Sequence, residues 1–246
     1  IFPDAVLDEA ERVPVELDDK EILNRRDFRS TLTFTIDPFD ARDFDDAISY
    51  HELENGHYEL GVHIADVSHY VRPGMAMDAE ALLRSNSVYL VDRVIPMLPE
   101  QLSNIACSLR PNEDKYTFSA VFEMDDKGKV YKEWYGKGVI HSDRRFTYEE
   151  AQEIIEGKDG DHEVVIRKLN SVAHILRKQR LKDGALSIES EEMRFRLNDV
   201  GNPSEVVIKT SKDAHKLIEE FMLLANRKVA TFLSKPEKGR DPFPMI

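Results

Sequence analysis

TLTFTIDPFDARDFDDAIS, residues 31–49, changes character half-way along. Leu32, Phe34 and Ile36 alternate with Thr33 and Thr35, the period-two pattern of a strand with one apolar face. If the strand stays extended, Asp37 continues the threonine row and points away from the core. Five aspartates then fall within ten positions: Asp37, Asp40, Asp43, Asp45 and Asp46. Carboxylates this close repel one another, yet Ala41, Phe44, Ala47 and Ile48 interleave with them and should anchor the segment. Held in place, the acids need a counter-charge, and a divalent cation supplies it compactly. A calcium loop of the EF-hand type fails on position: counted from Asp43, the fifth site is Ala47 and the glycine site is Ile48. Magnesium takes one or two carboxylates directly and leaves room for phosphate oxygens. Four separately placed carboxylates are enough for two such ions about 3.5–4 Å apart. On spacing alone, a solvated acidic loop and a metal site both remain open.

Outward from this stretch, DAISYHEL and HYELGVHIADVSHYV read as two strands around ENGH, where Asn55-Gly56 suits a tight turn. MDAEALLRS and PEQLSNIACSL read as short helices flanking an irregular NSVYLVDRVIPML. KYTFSAVFEMDDKGKVYKEWYGKGVI reads as a hairpin turning at DDKG, with Trp134 packing on it. Thr147 and Glu150 in TYEEAQEII form a capping-box signature. Val165, Leu169, Val172 and Leu176 define an amphipathic helix that Gly184 ends. A strand pair around DVGNPSE precedes a long helix in KDAHKLIEEFMLLANRKVATFL. Strands and helices mix without βαβ alternation, so the expected fold class is α+β: a mixed or antiparallel sheet packed with helices.

The chain has 246 residues, 41% hydrophobic and 33% charged, which fits a globular protein with a sizeable core. No apolar stretch is long enough to span a bilayer. The first residues lack a signal peptide's basic start and apolar run. One cysteine, Cys107, excludes an intrachain disulfide; it reads as a buried core residue in a reducing, cytoplasmic setting. A net charge of −13 argues against a protein that coats nucleic acid, though charge can be local. The chain starts at Ile1 and stops in KPEKGRDPFPMI, and reads as a piece of a longer protein.

TIDPFDARDFDDAIS resembles the catalytic signature of the RNB family of 3′-to-5′ exoribonucleases, which includes ribonucleases II and R. That pattern has a TID aspartate and then a D-x-DD group six residues on; Asp37, Asp43, Asp45 and Asp46 occupy all four positions. RRDFRSTLTFTIDP, HIADVSHYV, NSVYL, VIPMLPEQLSN, CSLRPNEDK and DAHKLIEEFMLLAN extend the resemblance, of ribonuclease R type, over nearly the whole chain. It implies the N-terminal portion of an RNB catalytic domain over residues 31–246. Residues 1–30 would be a lead-in from OB-type RNA-binding domains that are absent from this chain. It further implies Mg²⁺-dependent hydrolysis of single-stranded RNA from the 3′ end to nucleoside 5′-monophosphates. Asp37 and Asp46 would be direct metal ligands and Asp43 would complete the set. Asp45 would be the residue whose loss most damages the chemistry. Asp40 has no counterpart and is assigned to solvent.

By the same resemblance Tyr89 holds the 3′-terminal nucleotide, by the stacking any base allows. Ile188 stands where the family often has a stacking aromatic, so that side of the clamp lacks a π face. Of Glu219 and Glu220, alignment favours Glu220 as the acid that contacts the RNA end. Asn104 and Arg110 are weaker candidates for phosphate contacts. His63, Asp66 and His69 invite a metal reading, but lie on a strand running into loop, where structural hydrogen bonding is the expectation. The family's catalytic arginine would lie beyond Ile246, so these residues alone should carry metal ligands with little activity. The alternative reading is a non-catalytic RNA-binding or scaffolding protein, which would normally have lost some of the four acids.

Overall fold

Alternating apolar residues become a sheet here because helices cover it from both sides. The structure, a computed structural model, describes residues 1–91, 93–186, 192–198 and 203–235. Its strands are β1 (Arg26–Asp27), β2 (Leu32–Asp37), β3 (Asp46–Glu52), β4 (Tyr58–Ala65), β5 (Val88–Tyr89), β6 (Val94–Ile95), β7 (Asp114–Met124), β8 (Val130–His141), β9 (Arg144–Thr147), β10 (Glu192–Leu197) and β11 (Pro203–Lys209). The helices are α1 (Asp4–Glu11), α2 (Asp19–Ile22), α3 (Val67–Tyr70), α4 (Ala76–Arg84), α5 (Tyr148–Ile155), α6 (Glu163–Lys182) and α7 (Asp213–Ser234).

Seven strands form one sheet in the order β1-β8-β7-β4-β3-β2-β9. The four central pairings are antiparallel, while β1 on β8 and β9 on β2 are parallel. The α+β expectation is met. β3 and β4 turn at Gly56, whose φ of +79° suits a residue without Cβ. The capping box is complete: Glu150 N–H donates to Thr147 Oγ1 at 3.0 Å, and Thr147 N–H to Glu150 Oε2 at 2.8 Å. Gly184 ends α6 with φ +100°. No helix among the described residues is long and apolar enough to cross a membrane.

One face of the sheet packs Phe34, Ile48, Leu60 and Phe122 against Leu169 of α6 and Phe221 of α7. The other packs Ala47 and Val121 against Val6 of α1, Met77 of α4 and Leu102. This second layer corrects the reading of β2 as a strand with one solvent face. Thr33, Thr35 and Asp37 are 0%, 1% and 8% exposed, so the threonine row is buried too. Alternation told the two faces apart, but both are inside.

Three local expectations also shift. PEQLSNIACSL forms a π-helical turn, Gln101–Ala106, in which Cys107 N–H reaches Leu102 C=O at 2.8 Å. NSVYLVDRVIPML contains the short β5–β6 hairpin. The loop expected after HIAD is the single turn α3. Cys107 is buried, which pushes its thiol up to about 12, and Trp134 packs edge-on against Phe28.

Candidate active site

β2 and β3 are antiparallel neighbours with Phe34 opposite Ile48, so Asp37 and Asp46 stand at the same end of the pair. The chain between them leaves the sheet at Pro38, turns with Ala41 N–H on Pro38 C=O (3.1 Å), and returns at Asp46. The CSL segment pins the far end of this loop. Phe44 N–H donates to Ser108 Oγ at 2.9 Å, Ser108 donates to Arg42 C=O at 3.3 Å, and Leu109 N–H donates to Phe44 C=O at 2.8 Å. The Phe44 ring is buried in the second core.

The loop floors a cleft of about 800 Å³. Asp37, Asp43, Asp45, Asp46, Tyr89 and Asn104 line it, so the structure gathers all four signature aspartates with two predicted RNA contacts. Tyr89 is 67% exposed, and its hydroxyl donates to Asp43 Oδ2 at 3.3 Å. Asp40 is exposed as expected, but it lines the same cleft.

Burial raises the Asp37 carboxyl to about 7; the charge of Asp46 adds to this and Arg145 opposes it. Asp46 is raised to about 6 by burial and then by Asp45. Asp45 is raised by desolvation against the cleft walls, reinforced by Asp43. Repulsion among the acids is therefore real but secondary to burial. Asp37 Oδ2 is buried without a hydrogen-bond partner. Among the described residues, no three His, Cys, Asp or Glu side chains are gathered closely enough to hold a metal ion as they stand.

Other candidates fall elsewhere. Glu220 has a side chain 2% exposed and enclosed by arginines of α6: Arg180 Nη2 at 2.6 Å and Arg177 Nη1 at 3.5 Å. The Glu219 side chain, 47% exposed, shares those arginines. Ile188 lies outside the described residues. Arg110 pairs with Glu113 at 3.4 Å and is not among the residues lining the cleft. His63, Asp66 and His69 each make hydrogen bonds or ion pairs with other side chains, the structural role expected of them. His63 is fully buried between Ser49 Oγ (2.8 Å) and Ser119 Oγ (2.7 Å). Asp66 is ion-paired with Arg25 Nη2 at 2.8 Å, and His69 Nδ1 lies 3.3 Å from that same nitrogen.

Sequence reasoning missed Tyr148. It opens α5 directly after Thr147, which pairs with Asp37 in the β2–β9 register. Burial, and then the charges of Asp46 and Asp37, push its hydroxyl up to about 12. His215 of α7 stacks on its ring at 4.0 Å. No spacing along the chain links residues 37 and 148; only the parallel pairing of β9 brings them together.

The model of the RNB domain matches residues 25–243. The chain belongs to the RNB family. Among relatives of this RNB chain, a DIS3-like exonuclease 2 of Schizosaccharomyces pombe is 46% identical over 88% of the chain and 25% of its own length. Ribonuclease R 1 of Lactococcus lactis is 44% identical over 94% of the chain and 29% of its own length. The chain thus spans between a quarter and a third of these relatives. A solved structure of Mycoplasma genitalium RNase R, in complex with ribose-methylated single-stranded RNA, superposes with a TM-score of 0.87. It is 29% identical over 95% of the chain and 37% of the neighbour. The RNB fold, the aspartate cleft and the matched segments therefore coincide in one molecule.

Proposed function

We propose that this RNB chain supplies the acidic centre of an exoribonuclease. In this reading the protein hydrolyses single-stranded RNA from its 3′ end to nucleoside 5′-monophosphates with Mg²⁺. The observation that carries it is one cleft holding four fixed carboxylates, in which a buried oxygen of Asp37 has no partner. A hard all-oxygen donor set with an orphaned oxygen fits a magnesium ion in kind. Asp37 and Asp46 would hold it directly, with Asp43 and Asp45 completing the set. A bound Mg²⁺ supplies an activated water and charge neutralisation for the phosphate.

The protein's own groups supply the rest. Burial raises the Asp37 and Asp46 carboxyls, so a cation bound between them would offset the cost of keeping both charged. The exposed ring of Tyr89 stands on the same cleft, where stacking a terminal base is worth roughly 1–3 kcal/mol whatever its identity. Asn104, which also lines the cleft, offers an amide to phosphate. The single-stranded RNA on the Mycoplasma neighbour supports RNA as the substrate class.

The test compares the full-length protein with Asp45→Asn on a 3′-tailed RNA. Magnesium-dependent release of mononucleotides should fall by at least ~10²-fold in the variant, with RNA binding retained. No release by either protein would leave the non-catalytic scaffold as the better reading, and equal release by both would remove Asp45 from the chemistry. DNA of the same sequence, if digested as fast, would replace the ribonuclease reading with a general nuclease.

A further inference from the structure

Asp37 ends β2 and Asp46 begins β3, so the path of the loop between them bears on where both carboxylates stand, and both ends of that loop are held. Ser108, Leu109 and the buried Phe44 ring hold its far end. At the near end, Arg145 reaches across from β9. Its backbone pairs with Thr35 on β2, two residues before Asp37. Its Nη2 donates to Pro38 C=O at 2.5 Å and to Phe39 C=O at 3.0 Å. The same guanidinium lies over the Phe44 ring, 5.4 Å from its centroid. One side chain thus touches both ends of the loop from a rigid strand.

We propose that Arg145 is a positioning residue for this site: its guanidinium sets the path of loop 38–45, and thereby where the flanking aspartates stand. Two further observations favour this over a packing role. Arg145 Nε is buried without a partner, so the side chain keeps its place despite a lost hydrogen bond. The planar fork is also what the geometry uses, since it reaches two carbonyls while its cationic centre lies over the Phe44 ring, which a single lysine ammonium does not reproduce. The inference rests on the reading of the aspartates as the reacting centre.

The experiment uses the full-length protein with Arg145→Met, Arg145→Lys and Asp45→Asn. Amide hydrogen exchange reports on loop 38–45, and steady-state kinetics on single-stranded RNA separate kcat from KM. Arg145→Met should speed exchange at residues 39–45 at least about tenfold while the amides of β7 and β8 keep their protection. Its kcat should fall by about 10–100-fold, the scale of a misplaced reacting group. KM should move by less than about threefold because the Tyr89 wall is untouched. Arg145→Lys should recover part of kcat. Unchanged loop exchange, or unchanged kcat beside an inactive Asp45→Asn, overturns the proposal and leaves the aspartate reading intact. Lost protection throughout β7 and β8 also overturns it, as general destabilisation. An active Asp45→Asn sinks the underlying reading instead. Should Arg145→Met not fold, Arg145→Lys carries the test, with faster loop exchange and a reduced kcat expected and wild-type values overturning it.

Discussion

His63 shows at the scale of one residue how the centre of the sheet is specified. It bridges β3 and β7 through Ser49 and Ser119, and a Cβ on Gly61 would fall 2.4 Å from His63 Nε2 and 2.2 Å from Ser49 Oγ. Only glycine leaves room for this bridge. Complete burial lowers the imidazole from 6.5 to about 3, with Arg26 adding to the effect. The folded protein therefore binds this proton less well than the unfolded chain. The stabilisation is present above pH 6.5 and is lost as pH falls toward 3. Asp37 and Asp46, raised by burial, act in the opposite direction over part of that range, so the histidine has to be isolated by difference. Urea unfolding of wild type and His63→Gln should show their stability gap shrinking by about 2 kcal/mol between pH 7 and pH 5. A gap that does not move with pH contradicts the neutral, buried imidazole. HIADVSH in the sequence allowed a metal site or a structural network. The choice fell to the serines opposite, which are separated by 14 and 56 residues from His63.

At the scale of elements, the helix α5 starts where the sheet ends, and its cap fixes more than the helix. Thr147 is both the last residue of β9, opposite Asp37, and the N-cap of α5. Thr147→Ala removes the side-chain half of the capping box and should cost about 0.5–2 kcal/mol in thermal or urea unfolding. A cap that matters only to the helix would leave the proposed RNA hydrolysis untouched; this one adjoins Tyr148, so in that reading kcat should fall as well. The capping box was legible because its rule is local, a Thr and a Glu three residues apart. The π-helical turn was not. Its i→i+5 bond at Leu102 comes with a distant partner, the buried Lys115 ammonium, which donates to Ile105 C=O at 2.5 Å. No periodicity in PEQLSNIACSL reveals that partner.

For the whole molecule, the segment before β2 is stitched to the sheet by one buried cation. Arg25 pairs with Asp66 at 2.8 Å and with Glu21 of α2 at 2.7 Å, donates to Thr117 C=O of β7 and Gly138 C=O of β8, and lies over the Tyr116 ring at 4.2 Å. Both the Arg25 and Asp66 side chains are almost wholly buried. Arg25→Met leaves Asp66 charged and without its main partner, and should lower stability by about 3–5 kcal/mol in urea unfolding. Adding Asp66→Leu should restore much of that loss, and a double mutant as unstable as the sum of the two singles would argue against a coupled pair. The sequence by itself determined the central antiparallel strands, the long helices, the acidic signature and the family, because alternation, caps and motif spacing are short-range properties. Tertiary structure alone decided that both faces of β2 are inside and that Glu220 is enclosed by Arg177 and Arg180. It also decided that Tyr148 and Arg145 belong beside Asp37. Those outcomes depend on which distant segment covers a face or pairs with an edge, and the chain records that only in its folded packing.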